Sequence, residues 1–216
     1  MGVIGMRTQE QYLADLAKMR PNIYLDGKLI GRGDPRVVRA SSAIRLTFSM
    51  VDNPEMEELL TTTSHISGKK INRFTHIHQS VDDLLAKQEM TRKMCQYAGG
   101  CIQRCMGVDM MNGISSIVKD VDKKYGTSYY QNFLNYLALF QERDMVCAGS
   151  QTDTKGDRSK RPSEQWDPDQ YLHVVERRPD GVVVRGCKVH NTMAPYADEL
   201  IVVSTRVMGP DEKDYA

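Results

Sequence analysis

The apolar residues keep one period up to about residue 145 and a different one from about residue 171, and this switch limits the fold more than any single motif. Tyr12, Leu13, Leu16 and Met19, and later Tyr129, Phe133, Tyr136, Leu137 and Phe140, recur three or four residues apart, which puts each set on one helical face. Tyr171-Leu-His-Val-Val-Glu-Arg and Gly181-Val-Val-Val-Arg-Gly flank Pro179-Asp180-Gly181, the chemistry of a hairpin turn between two strands. A further strand is expected over Leu200-Ile-Val-Val-Ser-Thr-Arg-Val-Met. Between the two regimes, Thr152 to Pro168 is polar and has no period, so it reads as a long ordered or functional loop. The order predicts an α+β chain: a helical domain over 1–145, then the start of a β domain over 146–216 whose antiparallel sheet is left incomplete.

Within the helical part, Thr8 followed by Gln11 makes a capping box, Pro21 stops the first helix, and residues 1–5 read as a dispensable tail. Asp26-Gly27 and Gly31-Arg32-Gly33-Asp34-Pro35 are turn chemistry around a short strand, Lys28-Leu29-Ile30, and helix resumes near Val37. Asp52 and Pro54 open a short helix through Leu60. Ser80 caps the next, expected to run as one segment to Val121 before Tyr125-Gly126-Thr127 breaks the pattern. Gly99, Gly100, Gly107 and Gly113 inside it each cost roughly 1 kcal/mol relative to Ala, so something is expected to approach this backbone closely.

Lys+Arg 29 against Asp+Glu 28 leaves a net charge of +1, which gives no electrostatic reason to bind nucleic acid or an anionic membrane. No apolar run is long enough to span a bilayer, and MGVIGMRTQEQYL has neither the apolar stretch nor the cleavage site of a signal peptide. A cytoplasmic location is the expectation. There an odd set of five cysteines is read as metal ligands, catalytic groups or buried thiols rather than disulfides.

Cys101-Ile102-Gln103-Arg104-Cys105 has the four-residue spacing that, on a helix, sets two thiols on one face about 5–6 Å apart. The spacing alone leaves two readings open, a pair of cluster ligands and a pair of buried packing residues. In Thr152-Asp153-Thr154-Lys155-Gly156-Asp157-Arg158-Ser159, turn residues expose backbone N–H groups beside two cations, which suits a pyrophosphate or flavin edge; a solvated charged loop is the other reading. In Arg185-Gly186-Cys187-Lys188-Val189-His190-Asn191-Thr192, strand alternation would put Lys188, His190 and Thr192 on one face. His76 and His78 could align only in extended backbone. Cys95, Cys147 and Cys187 are read as core thiols, and Trp166 as a packing anchor for the polar loop.

Lys70-Ile71-Asn72-Arg73-Phe74, His78-Gln79-Ser80-Val81-Asp82-Asp83-Leu84 and Cys101-Ile102-Gln103-Arg104-Cys105-Met106-Gly107-Val108-Asp109 together resemble the iron–sulfur segment of the 4-hydroxybutyryl-CoA dehydratase branch of the 4-hydroxyphenylacetate 3-hydroxylase family, with similarity extending from about Thr8 to Ala216. The resemblance implies an acyl-CoA dehydrogenase-like fold, a 4Fe–4S cluster with Cys101 and Cys105 as ligands, and Gln103 in the active site as a catalytic group. It also implies FAD bound by the loop residues Thr152, Asp153, Lys155, Gly156, Asp157, Arg158 and Ser159, with Thr154 standing where the family has proline, and by Lys188, His190 and Thr192. Thr192 would touch flavin and substrate, and so is a second catalytic candidate. The implied reaction is dehydration of 4-hydroxybutyryl-CoA to crotonyl-CoA by a radical mechanism, with vinylacetyl-CoA isomerisation. A cubane takes four protein ligands and this stretch supplies two, so the implied partners are a missing carboxyl-terminal portion or second subunit, a CoA thioester, and further copies in a tetramer. Two alternatives stand beside this reading: a flavin-dependent phenol hydroxylase, which has no need of the cysteine pair, and an inactive fragment or subunit of a split enzyme.

Overall fold

The computed structural model describes residues 6–215; the expected tail over residues 1–5 lies outside them. Helix α1 (Gln9–Lys18) starts on the capping box read from the sequence: the Gln11 amide donates to Thr8 Oγ1 at 3.2 Å and the Thr8 amide to Gln11 Oε1 at 2.8 Å. Strands β1 (Ile23–Leu25) and β2 (Lys28–Ile30) form a hairpin whose two turn residues, Asp26 and Gly27, both have positive φ. Helices α2 (Pro35–Ala40), α3 (Ser42–Ser49) and α4 (Pro54–Leu60) follow, the last capped by Asn53 rather than Asp52. An antiparallel pair, β3 (Thr61–Thr63) and β4 (Lys70–Asn72), precedes α5 (Val81–Ala98), which Ser80 caps through the Asp83 amide.

The single helix expected from Ser80 to Val121 is two helices. α5 ends on Gly99, left-handed at φ 68, and α6 (Cys105–Tyr125) begins only after a six-residue break. The periodic pattern concealed this because Ile102, inside the break, is fully buried and continues the apolar count. Of the four glycines, Gly107 does meet a close neighbour: a Cβ there would lie 2.5 Å from the Cys147 carbonyl oxygen. Gly99 serves as a cap, and Cβ atoms at Gly100 and Gly113 would meet nothing within 4 Å. Gly126, φ 65, ends α6, and α7 (Tyr129–Glu142) completes the helical set.

The chain divides into two compact units, one comprising the chain up to Ala148 together with Met193–Glu199, the other Gly149–Thr192 together with the chain from Leu200. Among its described residues the first unit has two cores. Tyr12, Leu16, Ile44, Phe48, Val146, Ala148, Met193 and Ala197 form one, with the Tyr12 and Phe48 rings stacked at 4.9 Å. Val51, Met56, Leu60, Phe74, Met90, Met94, Ile102 and Val108 form the other, with Cys95 and Cys105 packed against it. Burying a side chain of that size contributes about 1.5–3 kcal/mol, which makes Ile102 a firm anchor for the break.

β5 (Cys147–Ser150) carries the chain into the second unit. β6 (His173–Arg178) and β7 (Gly181–Arg185) form the expected antiparallel hairpin, with a bulge at Val175. β8 (Glu199–Val202) pairs with β5. Val146 and Ser150 accept from the amides of Asp198 and Val203 in the same order along both strands, so this pair runs parallel, and the antiparallel expectation holds for the hairpin and the Asp153–Lys188 bridge but not here. The strand expected to reach Met208 ends at Val202 because the Val203 carbonyl and the Thr205 hydroxyl turn to Lys188 and Asp153 instead of continuing a ladder. Thr152–Pro168 is irregular apart from a bridge, Asp153 to Lys188, and a short 3-10 turn at Pro162–Glu164. Trp166 is 94% exposed, so it does not anchor the loop. No described helix is long and apolar enough to cross a membrane.

Candidate functional site

In the first unit, the break between α5 and α6 carries Cys101, Gln103 and Cys105. The two thiols do not lie on one helix as expected: Cys101 is in the loop, and Cys105 is the first residue of α6. Cys101 nonetheless lies near enough to Cys105 to act on its thiol electrostatically. Cys101 is exposed, Ile102 buried, Gln103 half-buried, Arg104 buried and Cys105 half-buried against the second core, so Ile102 and Arg104 are the residues of the break drawn inward. Gln103 is the pivot. Its φ is +63 and the Arg104 amide donates to the Ile102 carbonyl at 2.7 Å, a tight turn with positive φ at its centre and a strained conformation for a side-chain-bearing residue.

All five cysteines are free thiols. Burial pushes the Cys105 thiol above its ordinary pKa, with Asp109 and Cys101 adding to the shift. Burial also pushes the Cys147 thiol up, to about 11, while the Tyr136 hydroxyl 3.1 Å away works against that rise. Cys95 and Cys147 fit the core-thiol reading; Cys187 is exposed and does not. Alkylation at mildly alkaline pH is therefore expected to modify Cys101 and Cys187 first and Cys147 last, as mapped by peptide mass spectrometry. Early modification of Cys147 would contradict its burial and raised pKa.

The second unit holds the polar loop. Lys188 donates to the carbonyls of Gln151 (3.1 Å) and Val203 (2.8 Å) and to Asp153 Oδ1, so its three N–H bonds are all used inside the protein. Asp153 also accepts from Thr205, and the Thr152 carbonyl accepts from the Val189 amide at 2.9 Å. The Thr154 hydroxyl, at the position where the resembled family has proline, donates to the Gln170 carbonyl at 2.7 Å. Gln165 clamps the next turn, accepting from the Asp157 amide at 3.0 Å and donating to the Asp157 carbonyl at 2.9 Å. A Cβ at Gly156 would lie 1.9 Å from Gln170 Nε2. Asp157 caps Ser159 through both its amide (3.0 Å) and its hydroxyl (2.6 Å), and these bonds hold the carboxylate below its ordinary pKa. Lys155 and Arg158 are exposed, and no described residue forms an ion pair with either. The loop thus keeps two cations outward on a backbone fixed from within.

Lys188, His190 and Thr192 do not share a strand face. β7 ends at Arg185, and His190 has φ +58, which breaks alternation between Lys188 and Thr192; His190 and Thr192 are both exposed.

His76 does lie in extended backbone, with its ring 6.4 Å from that of His78 and 6.2 Å from that of His65. Its Nε2 is 3.3 Å from Asp83 Oδ1. Among the described residues, however, no three His, Cys, Asp or Glu side chains are grouped to hold a metal ion. Sequence reasoning overlooked Arg104 and Asp144, whose buried ion pair at 2.5 Å lies directly beneath the thiol-bearing turn.

A family profile described as 4-hydroxyphenylacetate 3-hydroxylase N terminal matches residues 8–216. The chain belongs to this family. It is 42% identical over 98% of its length to 4-hydroxybutyryl-CoA dehydratase/vinylacetyl-CoA-Delta-isomerase of Clostridium aminobutyricum, covering 44% of that protein. An oxygen-tolerant archaeal 4-hydroxybutyryl-CoA dehydratase from N. maritimus superposes with a TM-score of 0.90 at 37% identity, covering 97% of this chain and 42% of that one. The oxygenase component of 4-hydroxyphenylacetate 3-monooxygenase complexed with FAD superposes at 0.76 with 20% identity, over 95% of this chain and 43% of that one, which shows a shared fold. The chain spans less than half the length of these relatives.

Proposed function

We propose that this chain is the amino-terminal part of a flavin- and iron–sulfur-dependent dehydratase that converts 4-hydroxybutyryl-CoA to crotonyl-CoA and isomerises vinylacetyl-CoA. The observation that carries the reading is Cys101 and Cys105 on either side of a strained turn at Gln103, all three at least partly open to solvent, in a chain 42% identical to a protein of that name. A phenol hydroxylase has no use for two thiols there. The donor set fits part of a cluster: two soft ligands four residues apart, one open to solvent and one at a helix start, with the other two ligands supplied by the remainder of the protein. When bound, FAD would supply one-electron redox chemistry and the cluster Lewis acidity toward the leaving hydroxyl.

The remaining roles belong to this chain's own groups. Lys155 and Arg158 would neutralise flavin phosphates, while the backbone N–H groups of the Thr152–Ser159 turn orient them. Thr192 and His190, both exposed, are assigned to the flavin and substrate side, and Gln103 to the substrate beside the thiols. With its ammonium fully engaged, Lys188 is assigned to holding Asp153 and the loop rather than to direct contact with the flavin. The fold is read as acyl-CoA dehydrogenase-like, completed by a carboxyl-terminal portion or a second subunit and assembled as a tetramer; five free thiols suit the reducing cytoplasm.

The test is anaerobic iron and sulfide reconstitution followed by assay of crotonyl-CoA, for this chain alone and for the protein completed by its remaining portion. Iron–sulfur absorbance and turnover are expected only in the completed protein. A completed protein that binds flavin, forms no cluster and hydroxylates a phenol would establish the alternative, and robust dehydration by this chain alone would show that the active site has been misplaced.

A further inference from the structure

A strained turn persists only where its surroundings over-determine it. Among the described residues four non-glycine positions have positive φ, and two of them, Gln103 (+63) and Asp144 (+47), flank or form one buried ion pair. Arg104, 2% exposed, donates through one terminal nitrogen to Thr47 Oγ1 at 3.0 Å. Through the other it reaches Asp144 Oδ1 at 2.5 Å and the Asp144 carbonyl at 3.2 Å. Its guanidinium carbon lies 4.2 Å from the centre of the Phe48 ring and 5.4 Å from that of Phe74. Asn72 Nδ2 holds the second Asp144 oxygen at 3.4 Å. The fork is therefore fixed in its plane as well as along its axis.

We propose that Arg104, acting through Asp144, is a positioning residue: with Ile102 it anchors the break inward and so holds the thiols of Cys101 and Cys105, with Gln103 between them, available together as a joint soft-ligand site. Were the guanidinium released, Gln103 could return to negative φ. A return would rotate the next peptide and separate the face bearing Cys101 from the start of α6. A compact ammonium cannot reproduce the effect, because lysine offers neither the planar fork nor the stacking surface. The inference rests on the reading that the two cysteines act as a ligand pair.

The experiment uses the chain itself with Cd2+ as the probe. Two thiols binding one Cd2+ release two protons and give a thiolate-to-metal charge-transfer absorption, and alkylation after loading shows which cysteines are protected. The unsubstituted chain is expected to protect Cys101 and Cys105 together. R104K is expected to weaken that joint protection about 10–100-fold in Cd2+ concentration, the range seen when groups supporting metal ligands are lost. R104K/Q103G, in which glycine takes the positive φ without strain, is expected to recover much of the loss. A purely structural role for Arg104 would not be rescued at that position. Should R104K fail to fold, D144N, which keeps the shape and removes the charge, carries the same expectation and the same rescue. If the unsubstituted chain never protects the pair, the ligand reading fails and this inference with it. If it does, and the Arg104 and Asp144 variants protect equally well, only the positioning role is overturned.

Discussion

Alanine at Cys101 or Cys105 in the completed protein is expected to remove its iron and with it crotonyl-CoA formation, whereas Cys95→Ala leaves both in place. The contrast follows from where the three thiols sit. Cys95 lies within α5 with its side chain against the second core, so truncation removes packing and costs on the order of 1 kcal/mol. Cys101 is exposed and contributes little to packing, so any large effect of its loss must come through a ligand. Cys105 lies between these cases, and its raised pKa, caused first by burial, means that binding a metal there must displace a proton. Iron analysis and turnover measured on the same preparations decide the matter. A Cys101→Ala protein that keeps its iron would place the cluster elsewhere, and a Cys95→Ala protein that loses it would make Cys95 a ligand.

Elements with local chemical signals were legible in the sequence. The Thr8–Gln11 capping box, the Asp26-Gly27 turn, the Ser80 cap and the hairpin at Pro179-Asp180-Gly181 each depend on a few adjacent residues and formed as read. Features decided by distant partners were not. The break between α5 and α6 exists because Arg104 finds Asp144, forty positions along the chain, and Ile102 finds a core; in the sequence those two residues merely continue a helical pattern. The same holds for β8, which stops where Val203 and Thr205 meet Lys188 and Asp153. For the candidate site, spacing singled out the Cys101–Cys105 pair and the resemblance added Gln103, but the expected helical placement does not hold, because Gly99 ends α5 and a tight turn at Gln103 precedes α6. Nothing local in the sequence indicates that Lys188 is an internal post rather than a surface cation.

Lys188→Met is expected to destabilise the second unit by about 3–5 kcal/mol, the cost of leaving a buried carboxylate without its partner. Both side chains of the pair are 9% exposed, so water can replace little of what Lys188 provides. The substitution also leaves the carbonyls of Gln151 and Val203 without their donor. Hydrogen exchange at the Val189 amide, which bonds to the Thr152 carbonyl, reports the opening locally and should accelerate by the corresponding factor. Pairing the change with Asp153→Leu removes the orphaned charge and is expected to recover much of the stability, since a buried ion pair replaced whole by apolar groups is often near neutral. Flavin retention separates the two roles for this lysine. If Lys188 is a post, flavin affinity falls in the single variant in step with the opening of the loop and returns substantially in the double variant. If flavin is lost while Val189 exchange stays unchanged, Lys188 contacts the cofactor directly and its bonds to Asp153, Gln151 and Val203 are incidental to binding.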